Sequence, residues 1–253
     1  MNIAAPPVNG GKTATAVLFD LDGTLVDPAG GITQGIEYAL GIMDLPSPGL
    51  EVLNAMVGPK LADALVSIAG VPLETVSGVI AAYRGWYVRE GMAMSVLYPG
   101  IKDLLTRLQD AGVPLAVATQ KPEPLAKTLL ARHGIDQHFS VIKGSHTDET
   151  LMPGQPGYRA GKSEIIAAAL AELSELGDLA DGTGDKVGAV MVGDRHQDVR
   201  GAHSNGLECI GVSWGFAEEG ELSAAGVAAV VHSTDELAQE LAQTFLEARD
   251  GAL

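Results

Sequence analysis

The chain has 253 residues, 46% hydrophobic, 19% charged and only 4% aromatic, with 16 basic against 32 acidic residues and a net charge of −16. That charge argues against a general nucleic-acid or anionic-membrane binder, since both need a basic footprint. The single cysteine, Cys209, excludes an internal disulfide and any multi-cysteine metal site.

Residues 1–13 are small, polar and Pro/Gly-containing, and read as a loose tail. Val17-Leu18-Phe19 then runs straight into Asp20 and Asp22, and Gly23-Thr24 breaks the extended run. A short apolar run of this kind reads as a buried strand of a parallel sheet. An unpaired buried charge is costly or titrates away, so Asp20 and Asp22 want a partner. A divalent cation is the obvious one.

The pattern next becomes helical. Ile32, Ile36, Ala39, Leu40 and Met43 share a face, and Pro46 and Pro48 end that segment. Leu61, Ala64, Leu65 and Ile68 make a second helix, and Val76, Val79, Ile80, Tyr83 and Tyr87 a third. Residues 30–95 therefore read as an all-α insertion. The core is expected over 14–29 and 96–253.

Strand and helix alternate from there. A helix over Ile101–Leu108 precedes a strand at Leu115–Ala118 that ends in Thr119-Gln120-Lys121. Pro122 suits the start of the following helix. Val141-Ile142 is a short strand, and 144–161 a long Gly/Pro-rich loop. Lys162 opens a helix with Ile165, Ile166, Ala169, Leu170 and Leu173 on its apolar face. Strands follow at Val187–Val192, Glu208–Val212 and Ala228–Val231. Cys209 lies within an apolar run and reads as a small buried hydrophobe. Ser233 with Glu236 gives a capping box for the last helix. The fold class is α/β, a doubly wound parallel sheet with an inserted all-α cap. Ligands of such sheets bind at the C-terminal strand edge.

Asp20, Asp22, Thr119, Lys162, Asp194 and Asp198 all fall at that edge. Taken singly, Asp194 reads as a helix cap, Thr119 as a turn residue and Lys162 as a solvated charge. Together they make a different proposition. Three carboxylates repel one another unless a hard cation such as Mg²⁺ joins them. With the cation and Lys162 the site turns locally positive and suits a phosphate.

In order, Asp20-Leu-Asp22-Gly-Thr24, Thr119, Lys162 and Gly193-Asp194-Arg-His-Gln-Asp198 match the four motifs of the haloacid dehalogenase (HAD) superfamily. With Val57-Gly-Pro and Gly211-Val-x-Trp-Gly, the chain resembles most the phosphoglycolate phosphatase/5′-nucleotidase branch, whose helical cap lies between the first two motifs. The resemblance implies a Rossmann-like core and Asp20 as nucleophile, forming an aspartyl-phosphate. It implies Mg²⁺ held by Asp20, the Asp22 backbone carbonyl and Asp194, with Asp198 in support. Asp22 would be the general acid and base, and Thr119 and Lys162 would hold the phosphoryl oxygens.

An acid at Asp22 favours phosphomonoester chemistry, because the family's dehalogenases and phosphonatases lack one. Lys60 lies near the position of the phosphonatase Schiff-base lysine, and reads as a substrate-anion or surface lysine. Gln120, where the family usually has Asn or Ser, and Lys121 are further substrate-facing candidates, with Arg84 in the cap. His196 lies within the Asp194 loop, and Trp86 and Arg89 lie at the end of the cap. The expectation is a Mg²⁺-dependent phosphatase of small phosphorylated metabolites. A phosphoryl transferase, passing the group to a sugar hydroxyl or a protein tyrosine, is the alternative. A third possibility is a non-catalytic regulatory protein on the same scaffold. No stretch reaches the ~20 apolar residues of a membrane span and no leader pattern is evident, so the expected location is cytoplasmic, without membrane or nucleic-acid partners.

Overall fold

A computed structural model describes residues 16–148, 159–179 and 188–250, with side chains to residue 244. The expected tail at 1–13 and most of the 144–161 loop lie outside these residues.

Strand β1 (Ala16–Phe19) is central to a six-stranded sheet with β4 (Leu115–Pro122), β5 (Val141–Ser145), β6 (Ala189–Gly193), β7 (Glu208–Val212) and β8 (Ala229–Val231). The order is β5-β4-β1-β6-β7-β8, and every pairing is parallel. The order reverses at β1, so its C-terminal end is the switch point where α/β sheets open a crevice. The period of two decides the packing. Val17 and Phe19 join a core with α6 (Ile101–Asp110), α7 (Glu123–His133) and α11 (Thr234–Asp250), while Ala16 and Leu18 join the opposite face with α8 (Lys162–Glu175) and α9 (His196–Ser204). Both faces are covered, which is why β1 reads as a continuous apolar run.

Two short strands, β2 (Val26–Asp27) and β3 (Val96–Leu97), pair antiparallel. Between them run α1 (Gly31–Ile42), α2 (Leu50–Ala55), α3 (Leu61–Ser67), α4 (Leu73–Trp86), a π-helical turn (Tyr87–Gly91) and α5 (Met92–Met94). Strand β2 is tied to the acidic loop, for Gly23 N–H donates to Val26 O at 2.8 Å and Val26 N–H to Leu21 O at 3.0 Å. Trp86 stacks on Tyr38 within the helical insertion instead of lining a cleft.

The sheet and its main helices follow the sequence pattern. Strand β5 runs on through Ser145, so the expected loop begins later. Strand β4 likewise extends to Pro122. At the last helix, Ser233 Oγ accepts from Glu236 N–H at 3.2 Å, but the Glu236 carboxylate takes the His232 N–H in place of that of Ser233. Cys209 is fully buried, and burial raises its thiol pKa.

Candidate active site

The sheet brings the expected polar residues to one edge because each follows or ends a parallel strand, or opens a helix beside one. Asp20 and Asp22 follow β1, Thr119 to Lys121 end β4, Asp194 follows β6, and Lys162 opens α8. Asp20, Asp22, Thr119, Lys162 and Asp198 are each no more than 6% exposed, and Asp194 is fully buried.

Lys162 sits between two acids, its Nζ 2.5 Å from Asp20 Oδ1 and 2.7 Å from Asp198 Oδ1. Burial alone lowers the Lys162 pKa, but Asp198 and Asp20 together outweigh it and hold the ammonium charged. Asp20, Asp194 and Asp198 form a buried group in which one oxygen from each lies within 4.8 Å of the other two. Burial first, then the Asp20 and Asp198 charges, push Asp194 well above the usual carboxylate range, against the Phe216 N–H that donates to its Oδ2 at 2.8 Å. Asp198 is pushed up to about 6, by burial first and despite Lys162. One ammonium does not balance three acids. The donor set is therefore a fit for a hard divalent cation with carboxylate ligands.

The Asp22 side chain stands outside that group. Its Oδ2 accepts from Lys121 Nζ at 2.7 Å, and its Oδ1 is buried with no hydrogen-bond partner among the described residues. Burial raises the Asp22 pKa, and Lys121 only partly offsets this. Lys121 is 9% exposed and lies 4.6 Å over the ring centroid of Tyr87. Thr119 Oγ1 accepts the Lys121 N–H at 3.2 Å, which leaves its hydroxyl proton available to a ligand.

Two glycines let the Asp194 carboxylate reach the loop. At Gly23, with φ +91°, and at Gly215, an added Cβ would overlap Asp194. Thr24 Oγ1 donates to Asp194 Oδ1 at 3.3 Å, and Trp214 Nε1 donates to the Thr24 carbonyl at 3.1 Å.

A cavity of about 70 Å³ lies between the sheet edge and the insertion. Asp20, Asp22, Thr119, Gln120 and Lys121 line it from the core, and Lys60, Tyr83, Arg84 and Tyr87 from the insertion. Such a volume holds a few water molecules. Arg84 Nη1 donates to Thr147 O at 3.1 Å, bridging insertion and core. His196 turns away from the cavity, with Nδ1 2.8 Å from Glu221 Oε1. Tyr83 and Tyr87 line the cavity although their spacing marks them only as part of an apolar helix face, so the sequence pattern gives no sign of this. Arg195, buried beside Asp194, is likewise unmarked by any periodicity.

Residues 17–212 match the family described as haloacid dehalogenase-like hydrolase. The chain belongs to that family. This HAD chain is 38% identical over 233 residues to "Tyrosine-protein kinase PtkA" of Mycobacterium tuberculosis, covering 91% of itself and 74% of that protein. It is 35% identical to a 5′-nucleotidase of Pseudomonas aeruginosa, covering 82% of itself and 86% of the other. Among solved structures, a predicted phosphatase from Clostridium acetobutylicum superimposes with a TM-score of 0.79 at 36% identity, over 91% of this chain and 99% of that one. The HAD chain is thus an enzyme of the hydrolase type, with phosphatases among its relatives. Among the described residues no helix is long and apolar enough to cross a membrane.

Proposed function

We propose that the chain is a Mg²⁺-dependent phosphatase of small phosphomonoesters, phosphoglycolate- or nucleotide-like, that works through an aspartyl-phosphate on Asp20. The helical insertion over 30–95 acts as the cap that selects the leaving group. One observation carries this reading. Two carboxylates on one loop have different partners, Asp20 on Lys162 and Asp22 on Lys121, with one Asp22 oxygen buried and unbonded among the described residues.

Asp20, the Asp22 backbone carbonyl and Asp194 would hold Mg²⁺, with Asp198 in support. The ion would supply charge neutralisation to the transferring phosphoryl group. The Asp20 carboxylate attacks phosphorus, and the P–O bond to the leaving alcohol breaks. Asp22 gives its Oδ1 proton to that oxygen, since Oδ2 already accepts from Lys121. The same carboxylate then takes a proton from the water that attacks the aspartyl-phosphate, releasing phosphate and Asp20. The Thr119 hydroxyl and Lys162 Nζ bind phosphoryl oxygens, so the residues supply alignment and charge.

The PtkA relative supports a second reading, in which the acceptor is a hydroxyl and not water. The test is a panel of phosphoglycolate, nucleoside monophosphates, sugar phosphates and phosphotyrosine, with and without Mg²⁺. Phosphate release that needs Mg²⁺ and falls on the order of 10⁴-fold or more in Asp20→Asn is expected. Full activity in Asp20→Asn overturns the nucleophile, and group transfer to an added alcohol without phosphate release overturns the hydrolase.

A further inference from the structure

Arg195 is 5% exposed and bonds in two directions. Its backbone N–H donates to Asp198 Oδ2 at 3.0 Å, and its neighbour in the chain is Asp194. Its side chain leaves the core. Nη1 donates to Val57 O at 2.5 Å and to Ala55 O at 3.4 Å, both in the helical insertion. Nε donates to Glu221 Oε1 at 2.9 Å, and the same carboxylate takes the His196 and Glu218 N–H groups. Glu221 thereby fixes the plane of the guanidinium. On the insertion side, Gly58 adopts φ +104°, and a Cβ there would come within 2.9 Å of Arg195 Cγ.

We propose that Arg195 is a positioning residue that couples occupancy of the Asp20–Asp194–Asp198 cluster to closure of the insertion. One residue is bonded by its backbone to the cluster and by its side chain to the insertion. A cation held by Asp194 and Asp198 would fix the Arg195 backbone through its bond to Asp198, and so would hold the guanidinium on the Ala55 and Val57 carbonyls. The coupling is reciprocal, so closure tightens cation binding by the same factor that the cation favours closure. Arginine suits the task because its planar fork serves Glu221 and the carbonyls at once, while a lysine ammonium is a single point of charge. The inference rests on the Mg²⁺ reading above.

The test uses spin labels on L50C, in the exposed start of α2, and K102C, on the exposed face of α6. The native Cys209 is buried and stays unlabelled. Mg²⁺ binding is measured by calorimetry and the interlabel distance by pulsed electron resonance. Mg²⁺ is expected to narrow and shorten the distance distribution in the otherwise native protein. In Arg195→Ala, Mg²⁺ still binds, about 5- to 10-fold more weakly, and no longer changes the distance. Arg195→Lys keeps the charge and is not expected to restore the response. Gly58→Ala, which presses on the Arg195 Cγ from the insertion side and so displaces the side chain, gives the same decoupling and carries the test where Arg195→Ala does not fold. KM rises more than kcat falls in each variant, because closure then draws on substrate binding. Failure of Mg²⁺ to bind the native protein overturns the metal reading and this coupling together. Mg²⁺ binding with no distance change, or with an equal change in Arg195→Ala, overturns the coupling alone.

Discussion

Lys121 Nζ lies 2.7 Å from Asp22 Oδ2 and 4.6 Å from the Tyr87 ring centroid, so one buried cation joins the Asp20–Asp22 loop to the helical insertion. Removing it withdraws the charge that lowers the Asp22 pKa. Asp22 then keeps its proton more firmly. The first chemical step, which needs the acid, is spared relative to the second, which needs the base. Lys121→Met is expected to slow dephosphorylation about 10-fold or more at neutral pH. Acid-quenched phosphoenzyme should accumulate in that variant and not in the native protein. Equal steady-state levels of phosphoenzyme would contradict the assignment.

The roles of Asp20 and Asp22 separate by leaving group. Asp22→Ala removes the proton donor but none of the three clustered carboxylates. Hydrolysis of an alkyl phosphate is expected to fall by about 10² to 10⁴. Hydrolysis of p-nitrophenyl phosphate, whose leaving group needs little help, should fall far less in the first step. Calorimetric Mg²⁺ affinity should stay within a few-fold of native. A uniform loss across leaving groups would remove Asp22 from the proton-transfer role.

Glu221 gives the pH dependence of stability a defined window. Burial alone raises its pKa, but the His196 N–H, Arg195 and the Glu218 N–H outweigh burial and hold it at about 2. The unfolded chain binds the proton first as pH falls, so the stabilisation is present above about pH 4.5 and is lost toward pH 2. Glu221→Gln should show a flatter thermal midpoint between pH 5 and 2 than the native protein, and a lower midpoint at pH 7. Parallel pH curves for the two proteins would dismiss Glu221 as a source of acid sensitivity.

Gly23 is held at φ +91°, where an alanine is strained by about 1–3 kcal/mol. Its Cβ would also overlap the Asp194 carboxylate. Gly23→Ala should lower the thermal midpoint and weaken Mg²⁺ affinity together. Gly112, also at positive φ but in open space, provides the contrast. Gly112→Ala should lower the midpoint only.

The parts of this site written locally were readable, and the parts assembled by folding were not. Val17 to Thr24 states its strand, its acids and its turn within eight residues. The alternation of strands and helices then places Thr119, Lys162 and Asp194 at the same edge, because parallel strands all end on one side. Tyr83 and Tyr87 resist such reading. They fit the apolar stripe of α4 and its continuation, and nothing in their spacing says that the stripe ends over Lys121. Lys121 reads as substrate-facing, and it does line the cavity, but nothing in its spacing announces that its ammonium also bonds Asp22. Strands β2 and β3 are two residues each, too short for a period of two to show. Arg195 was visible as a motif letter, but its partners Val57 and Glu221 lie 138 and 26 positions away.

The insertion leaves the core at Asp27 and returns at Val96, and these two residues are paired partners in the β2–β3 ribbon. The exit and entry points are therefore neighbours, whatever lies between them. A segment attached in this way acts as a cassette. It can lengthen, shorten or be exchanged for another without altering the spacing that the core must close. Loop closure adds only about 0.6 kcal/mol for each doubling in length, so the core places almost no constraint on what is carried. Under the proposed function, the core residues that break the phosphate ester and the insertion residues that choose which ester enters are free to change at different rates.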